Sequence, residues 1–240
     1  MEGVCLRQGF GLCALLIHTV TRAGAIEHAP KIDGHQRAAL TLKENVTHKF
    51  NCQSEGWNSH APPLLTWYLN GERQRPGSEK RAPGRLVTSH EEGGRLKPVS
   101  RQNSTFSLRA RRWDRELVCA VSGPHTGESY NATVTLNVQF QPEILRVNAH
   151  YSETSDSGLS LVLFALVRSN PPAHITWVDQ SGQQVANTSD FLTLDSRNYP
   201  WLTNHTLRVT LNNLSGNVSV NASNSVGVAQ SSITLARLTG

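Results

Sequence analysis

The sequence lacks the short motifs that would assign it to a common class of enzyme. Its 10 histidines show no HExxH or CxxC-type spacing for a zinc site, and no GxSxG nucleophile elbow is present. The paired glycines at 93–94 have no flanking strand and helix, which a phosphate-binding loop requires. These absences predict a protein that is not an enzyme and has no catalytic residue, metal or cofactor.

Long apolar runs and helical periodicity are also missing. After the N-terminus the longest apolar run is LVLFALV at 161–167. It is too short to cross a bilayer, because a spanning helix needs about 20 residues, and it is typical of a buried strand. We therefore expect no membrane span in this chain. Its 240 residues favour an all-β protein with two domains of about 100 residues each.

Cysteine is scarce, and two of the 4 cysteines lie near the N-terminus. They belong to a segment with the apolar run GLCALLIHTV at 11–20 and the small residues AGA at 23–25. This pattern predicts a secretory signal peptide at 1–25, and a short membrane anchor is disfavoured because the run is short. In the exported chain we expect the two remaining cysteines, Cys52 and Cys119, to pair in an oxidising compartment.

Cys52, Trp67 and Cys119 lie in three short runs in which apolar and polar residues alternate, as in strands with one buried face. A disulfide packed on a tryptophan between two sheets is the signature of an immunoglobulin sandwich. We predict that residues 26–138 form such a domain, with Trp67 in its core. Leu117 departs from the pattern, because many immunoglobulin domains place a tyrosine two residues before the second cysteine.

A second part of the sequence repeats this frame without cysteine. The run HITW ends at Trp177 after a proline pair, and Ala165 stands twelve residues earlier, where a first half-cystine usually lies. In VSVNASNSVG at 218–227, Val220 takes the place of the second half-cystine. We predict a second immunoglobulin-like domain at 139–240, with Trp177 in its core and apolar packing in place of a disulfide.

Three stretches are distinctive: LNVQFQPEI at 136–144, LVLFALVRSNPPAHITWVDQSG at 161–182 and NTSDFLTLDSRNYPWLTNHT at 187–206. They closely resemble the ectodomains of transmembrane protein 25-like members of the immunoglobulin superfamily. In the first domain the resemblance rests on KIDG at 31–34 and on the Cys-Trp-Cys frame. It implies a cell-surface protein with a membrane helix and a cytoplasmic tail after the second domain. This sequence stops at Gly240 without either, so we expect a secreted form or the extracellular part of a truncated chain.

Asn-X-Ser/Thr sequons predict N-glycosylation of an exported chain. They lie at Asn45, Asn103, Asn131, Asn187, Asn204, Asn213, Asn217 and Asn221. On the strand that carries Val218 and Val220, a period of two places Asn217 and Asn221 outward. We expect at least half of the sequons to carry glycans.

Basic residues concentrate in the first predicted domain. Residues 26–138 contain 16 Lys and Arg against 11 Asp and Glu, whereas residues 139–240 contain 5 against 6. This asymmetry suggests an acidic protein or a heparan-type polysaccharide as partner, with a merely solvated loop as the alternative. Nucleic acid fits the charge but neither the exported compartment nor the fold motifs. The candidate binding residues are Arg73, Arg75, Lys80, Arg81 and Arg85.

Tyr199 and Trp201 form a second candidate site, because exposed aromatic residues often anchor protein interfaces. The alternative is that Trp201 folds back and caps the sandwich core. Together these features predict an immunoglobulin-superfamily glycoprotein that acts in cell-surface or extracellular protein recognition. A soluble decoy or regulator of membrane-anchored relatives, and a matrix-associated protein that binds anionic glycans, are the alternatives.

Overall fold

The computed structural model describes nine stretches of the chain, and every regular element in them is a β-strand. The predicted signal peptide at 1–25 lies outside these stretches, and the described residues contain no helix long and apolar enough to span a bilayer. The stretches are residues 29–57, 64–75, 86–87, 99–122, 129–154, 158–188, 191–193, 200–210 and 216–235. The first nine strands are β1 (Lys31–Ile32), β2 (Arg37–Lys43), β3 (Thr47–Trp57), β4 (Leu64–Leu69), β5 (Glu72–Arg73), β6 (Leu86–Val87), β7 (Val99–Arg109), β8 (Glu116–Ser122) and β9 (Ser129–Thr154). The others are β10 (Gly158–Asn170), β11 (His174–Val178), β12 (Gln184–Thr188), β13 (Phe191–Thr193), β14 (Leu202–Thr210), β15 (Gly216–Ser223) and β16 (Val228–Leu235).

The chain forms two compact units, each assembled from several segments. The first unit comprises Met1–Ala38, Lys49–Ser107 and Glu116–Thr135, and the second comprises Ala39–His48, Leu108–Arg115 and Leu136–Gly240. Strand β9 contributes residues to both units. The division into domains at 26–138 and 139–240 remains a prediction.

The first unit is built around the cysteine and tryptophan frame. One antiparallel sheet has the strand order β1-β3-β7-β6, and β5, β4, β8 and the first part of β9 are neighbours in the other. Trp67 pairs with Cys119 across β4 and β8, and a disulfide joins Cys119 to Cys52 on β3, in the opposite sheet. Leu117 and Val121 are fully buried beside Cys119. Two sheets joined by this disulfide over a buried tryptophan are the immunoglobulin sandwich that the sequence predicts.

Asn70 and Gly71 form the turn between β4 and β5. Their φ angles are 52° and 82°, in the left-handed region that asparagine and glycine tolerate best. Leu69 pairs with Glu72 directly across the turn. Two positive φ angles are the geometry that a two-residue hairpin favours, because its twist matches that of the strands.

The second unit repeats the arrangement without a disulfide. The last part of β9 is followed by β10, β14 and β13 in one sheet, and the other has the order β12-β11-β15-β16. Trp177 pairs with Val220 across β11 and β15, in the register that Trp67 and Cys119 have in the first unit. Alternate residues of β10 are fully buried in the core: Leu161, Leu163, Ala165 and Val167.

Among the described residues of the second unit, the side chain of His205 on β14 is fully buried. It pairs with Ala165 on β10, and its Nε2 lies 3.0 Å from Thr203 Oγ1. The Thr203 hydroxyl donates to the Val167 carbonyl at 3.2 Å. Burial, and to a smaller extent the nearby His174, lowers the pKa of His205 from 6.5 to about 4. The imidazole is therefore neutral at physiological pH.

Candidate protein-recognition surface

The predicted basic site is only partly within the described residues. Arg73 and Arg75 are exposed, on β5 and just after it, whereas Lys80, Arg81 and Arg85 lie outside the description. Binding of an anionic polysaccharide by this set remains a prediction.

The sequons differ in how far their asparagines project into solvent. Asn45, Asn103, Asn131 and Asn217 are exposed, and Asn204 and Asn221 are half-buried. The alternation on β15 is the expected one, since Val218 and Val220 are buried between them. The side chains of Asn187 and Asn213 lie outside the description, and occupancy of all these sites is a prediction.

Trp201 lies at the start of β14 and packs inward on one side. Its ring meets the buried Phe140 ring edge-on, with centroids 5.7 Å apart, and its side chain is half-buried. Its φ of 58° is unusual for a bulky residue, and the Trp201 carbonyl accepts a hydrogen bond from Ser169 N at 3.0 Å. These contacts are those of a cap on the core. Tyr199, its predicted companion, lies outside the described residues.

A second tryptophan, Trp113, stands beside Trp201 and is far more exposed. The turn that carries it is closed by Asp114, whose carboxylate accepts from Arg111 N at 2.8 Å while Asp114 N donates to the Arg111 carbonyl at 2.9 Å. Asp114 is buried, so Trp113 projects from an anchored turn with 48% of its surface exposed. Its ring centroid lies 5.9 Å from that of Trp201.

One arginine lies over each of these two tryptophan rings. The Arg115 guanidinium lies 5.5 Å from the Trp201 centroid, and that of Arg168 lies 5.6 Å from the Trp113 centroid. Both distances are within the range of cation–π attraction, which stabilises by about 0.5–1 kcal/mol at exposed sites. We call Trp113, Trp201, Arg115 and Arg168 the tryptophan–arginine surface.

Arg112 ties the base of this surface together. Its guanidinium lies 4.7 Å from the Phe140 centroid and donates two hydrogen bonds to Glu44, at 2.7 and 3.0 Å, and one to Glu143 at 2.8 Å. The hydrogen bond to Glu44 is the main reason that the pKa of Arg112 is raised. A guanidinium held by two carboxylates has little conformational freedom, so Arg112 restrains the turn that carries Trp113.

Trp113 was not identified from the sequence. The available signal was a tryptophan within RRWDRE at 111–116, an aromatic residue among charges that has no apolar periodicity to bury it. Its proximity to Trp201 depends on tertiary contacts between segments 88 residues apart in number, which no local pattern reveals.

The described residues offer no metal centre, because no group of three or more His, Cys, Asp or Glu side chains converges among them.

None of the known protein-family models matches the sequence. The solved structures that the chain matches include ones with immunoglobulin domains. The structure of Dpr2 Ig1-Ig2 in complex with DIP-Theta Ig1-Ig3 matches with a TM-score of 0.49 and 16% identity, over 86% of this chain and 64% of that chain. Titin domains A168-A170 match with a TM-score of 0.32, 16% identity and coverages of 86% and 65%. The eight N-terminal immunoglobulin domains of Down syndrome cell adhesion molecule match with a TM-score of 0.29, 22% identity and coverages of 85% and 26%. This chain thus spans less than two thirds of each of these chains, and its immunoglobulin fold is established by the strand order, the registers and the disulfide described above.

Proposed function

We propose that this chain acts in protein recognition outside the cell, through the tryptophan–arginine surface. The observation that carries the proposal is Trp113, a large aromatic side chain that is 48% exposed on a turn anchored by a buried carboxylate. Tryptophan and arginine are the residues most enriched among those that dominate protein interfaces. A pre-organised turn loses little entropy on binding, which favours affinity.

The charges of the surface favour an acidic partner. The charged members of the surface, Arg115 and Arg168, are both cationic and lie over its two rings. A partner that presents carboxylates around an apolar side chain would match them, since the carboxylates would approach the guanidinium groups while the apolar group packs on Trp113.

We further propose that the chain is the extracellular part of a glycoprotein of the transmembrane protein 25-like group. It is supported by the three distinctive stretches between 136 and 206 and by the tandem repetition of the sandwich frame. Secretion is supported by the predicted signal peptide. A transcript with an alternative 3′ exon that encodes an apolar helix would establish a membrane-anchored form.

The experiment is a binding screen of the tagged, secreted chain against cells and an array of cell-surface ectodomains. For any partner found, Trp113→Ala should weaken binding at least about tenfold, as expected for a residue at the centre of an interface. Arg115→Ala should weaken it less and reduce its dependence on salt.

Val228→Ala is the matched control, because Val228 is an exposed apolar residue on β16. Equal affinity of the Trp113→Ala variant and the wild type would refute the role of the surface, provided that both retain the same circular dichroism and melting temperature.

A further inference from the structure

The outward side of β10 carries an apolar stripe. Its inward residues form the core, and the residues between them point to the other side of the sheet, where Val162, Phe164 and Leu166 follow one another by the period of two. Val162 is 5% exposed, and Phe164 and Leu166 are half-buried. The continuous apolar run LVLFALV is thus explained by a strand that has apolar residues on both faces. We call Val162, Phe164 and Leu166 the outer stripe.

Polar residues border the outer stripe on both neighbouring strands. On β9, Arg146, Asn148 and His150 pair with Leu166, Phe164 and Val162 in that order. On β14 the corresponding partners are Asn204, Thr206 and Arg208. The imidazole of His150 also stacks on the Phe164 ring, with centroids 5.0 Å apart, so the β9 side of the stripe is the better covered one.

A shallow hollow lies over the stripe, and a sequon asparagine forms part of its wall. It measures about 210 Å³ and is lined by Arg146, Asn148, Phe164, Leu166 and Asn204. This is smaller than the roughly 300–1,000 Å³ of pockets that bind drug-sized ligands. Phe164 and Leu166 are the apolar residues of its lining.

We infer that an N-glycan on Asn204 lies along the outer stripe and covers it. The sequon Asn204-His205-Thr206 alternates across β14, so the asparagine and threonine point outward while His205 is buried. The Asn204 side chain is directly opposite Leu166, and Thr206 is opposite Phe164. The first sugar therefore begins at the edge of the stripe, where the C–H face of a pyranose ring packs on apolar side chains.

The attachment is the ordinary sequon reaction, and the inference rests on the proposed export of the chain. The Asn204 side-chain nitrogen forms a bond to the anomeric carbon of an oligosaccharide carried on a lipid diphosphate. The bond between that carbon and the diphosphate breaks, the lipid diphosphate leaves, and the amide nitrogen loses a proton.

Asn221 provides the internal comparison. It is half-buried like Asn204, but its cross-strand partners are Thr176 and Gln230, which are polar. A glycan there has no apolar stripe to cover. Loss of the glycan at Asn204, unlike loss at Asn221, should uncover apolar surface.

The test uses the full chain secreted from animal cells, with Thr206→Ala removing one sequon and Ser223→Ala, the matched control, removing the other. Site-resolved mass spectrometry should show wild-type Asn204 occupied. Thr206→Ala should then raise the fluorescence of a dye that binds apolar surface and lower the melting temperature by roughly 2–4 °C, whereas Ser223→Ala should change neither. A further Phe164→Thr substitution should remove most of the dye signal, because it removes the surface that the dye reports.

Enzymatic removal of glycans from the folded wild type provides a second test, and it should raise the same dye signal. Because the protein has already folded, a folding defect of a variant cannot account for the result. An unoccupied Asn204 with other sequons occupied would overturn the inference and leave export intact, whereas an absence of glycans from all sequons would instead refute export. Occupancy without any change in dye binding on glycan removal would also overturn it. Self-association of the glycosylated wild type that Phe164→Thr abolishes would show that a second copy covers the stripe.

Discussion

The two units differ in the residue that lies opposite the core tryptophan. In the first, the position opposite Trp67 is Cys119, which is bonded to Cys52. In the second, the position opposite Trp177 is Val220, and Ala165 is fully buried on β10 in the opposite sheet. Trp177 has the same register without a disulfide, so strand pairing and apolar burial are sufficient to maintain the frame in the second unit.

The tryptophans themselves also differ. Trp67 Nε1 donates to Ser104 Oγ at 2.9 Å, whereas Trp177 Nε1 has no hydrogen-bond partner among the residues that the structure describes. The second core is also the one that buries an imidazole. Trp177 is therefore held by packing, and a specific polar contact of this unit is that between His205 and Thr203.

The largest expected effect is the loss of the disulfide. The bond closes a loop with a sequence separation of 67 residues, and a crosslink of this span stabilises by about 4 kcal/mol in the chain-entropy description. Cys52→Ala with Cys119→Ala should lower the free energy of unfolding of the first unit by that order. Hydrogen exchange resolved by peptide should quicken in β3, β4 and β8.

Peptides from β10 and β11 are the internal control for that experiment, because their core contains no disulfide. Equal loss of protection in β10 and β11 would contradict a stabilising effect of the disulfide that is confined to the first unit.

The second prediction concerns pH. The pKa of His205 is lowered by burial to about 4 from 6.5, so above pH 6.5 the imidazole is neutral in both the folded and the unfolded chain. As the pH falls from 6.5 to 4, the unfolded chain binds a proton that the folded chain does not. Stability should fall by about 3 kcal/mol over this window. The free energy of unfolding should be measured with urea at several pH values for the wild type and for His205→Gln. It should fall more steeply with decreasing pH in the wild type, and the difference between the two slopes is the contribution of His205.

His150→Gln is the control for that measurement, because His150 is exposed. If His205→Gln retained the wild-type slope between pH 6.5 and 4, another group would be responsible for the acid sensitivity.

The third prediction restores the missing bond. Ala165→Cys adds a sulfur, and Val220→Cys replaces two methyl groups with one sulfur, so the core volume changes little. A disulfide there should form on export and raise the stability of the second unit by about 2 kcal/mol, less than the full entropic value because engineered bonds carry strain. A mass lower by two hydrogens and a higher urea midpoint would show it. Two free thiols in the folded double variant would mean that the half-cystine positions have moved apart.

Much of the fold could be read from the sequence because its determinants are local. The alternation around Cys119 predicts a buried face, and the spacing to Trp177 predicts a second frame. The candidate site could not be read in the same way. Trp113 belongs to a turn that no periodicity marks, and its partner Trp201 follows much later in the chain. The run LVLFALV likewise predicts burial on both faces of its strand, whereas Phe164 and Leu166 are only half-buried. The burial of these outward side chains depends on atoms from other parts of the molecule, which the run itself does not specify.

The smallest expected effect, and the closest test of the comparison, is tryptophan to phenylalanine in each core. Both substitutions remove similar ring volume from buried positions, since Trp67 is 3% and Trp177 0% exposed. Trp67→Phe also removes the hydrogen bond to Ser104, which should add about 1 kcal/mol to its cost. Trp177→Phe removes a buried N–H for which the described residues provide no acceptor, so the lost packing is partly offset by the removal of an unsatisfied donor.

Urea unfolding, with hydrogen exchange in β4 and β11 to localise the effect, should show the larger loss of stability for Trp67→Phe. Ser104→Ala should reproduce about the hydrogen-bond share of that loss. A greater loss for Trp177→Phe would reverse the order and imply that the second core depends more strongly on its indole than the first.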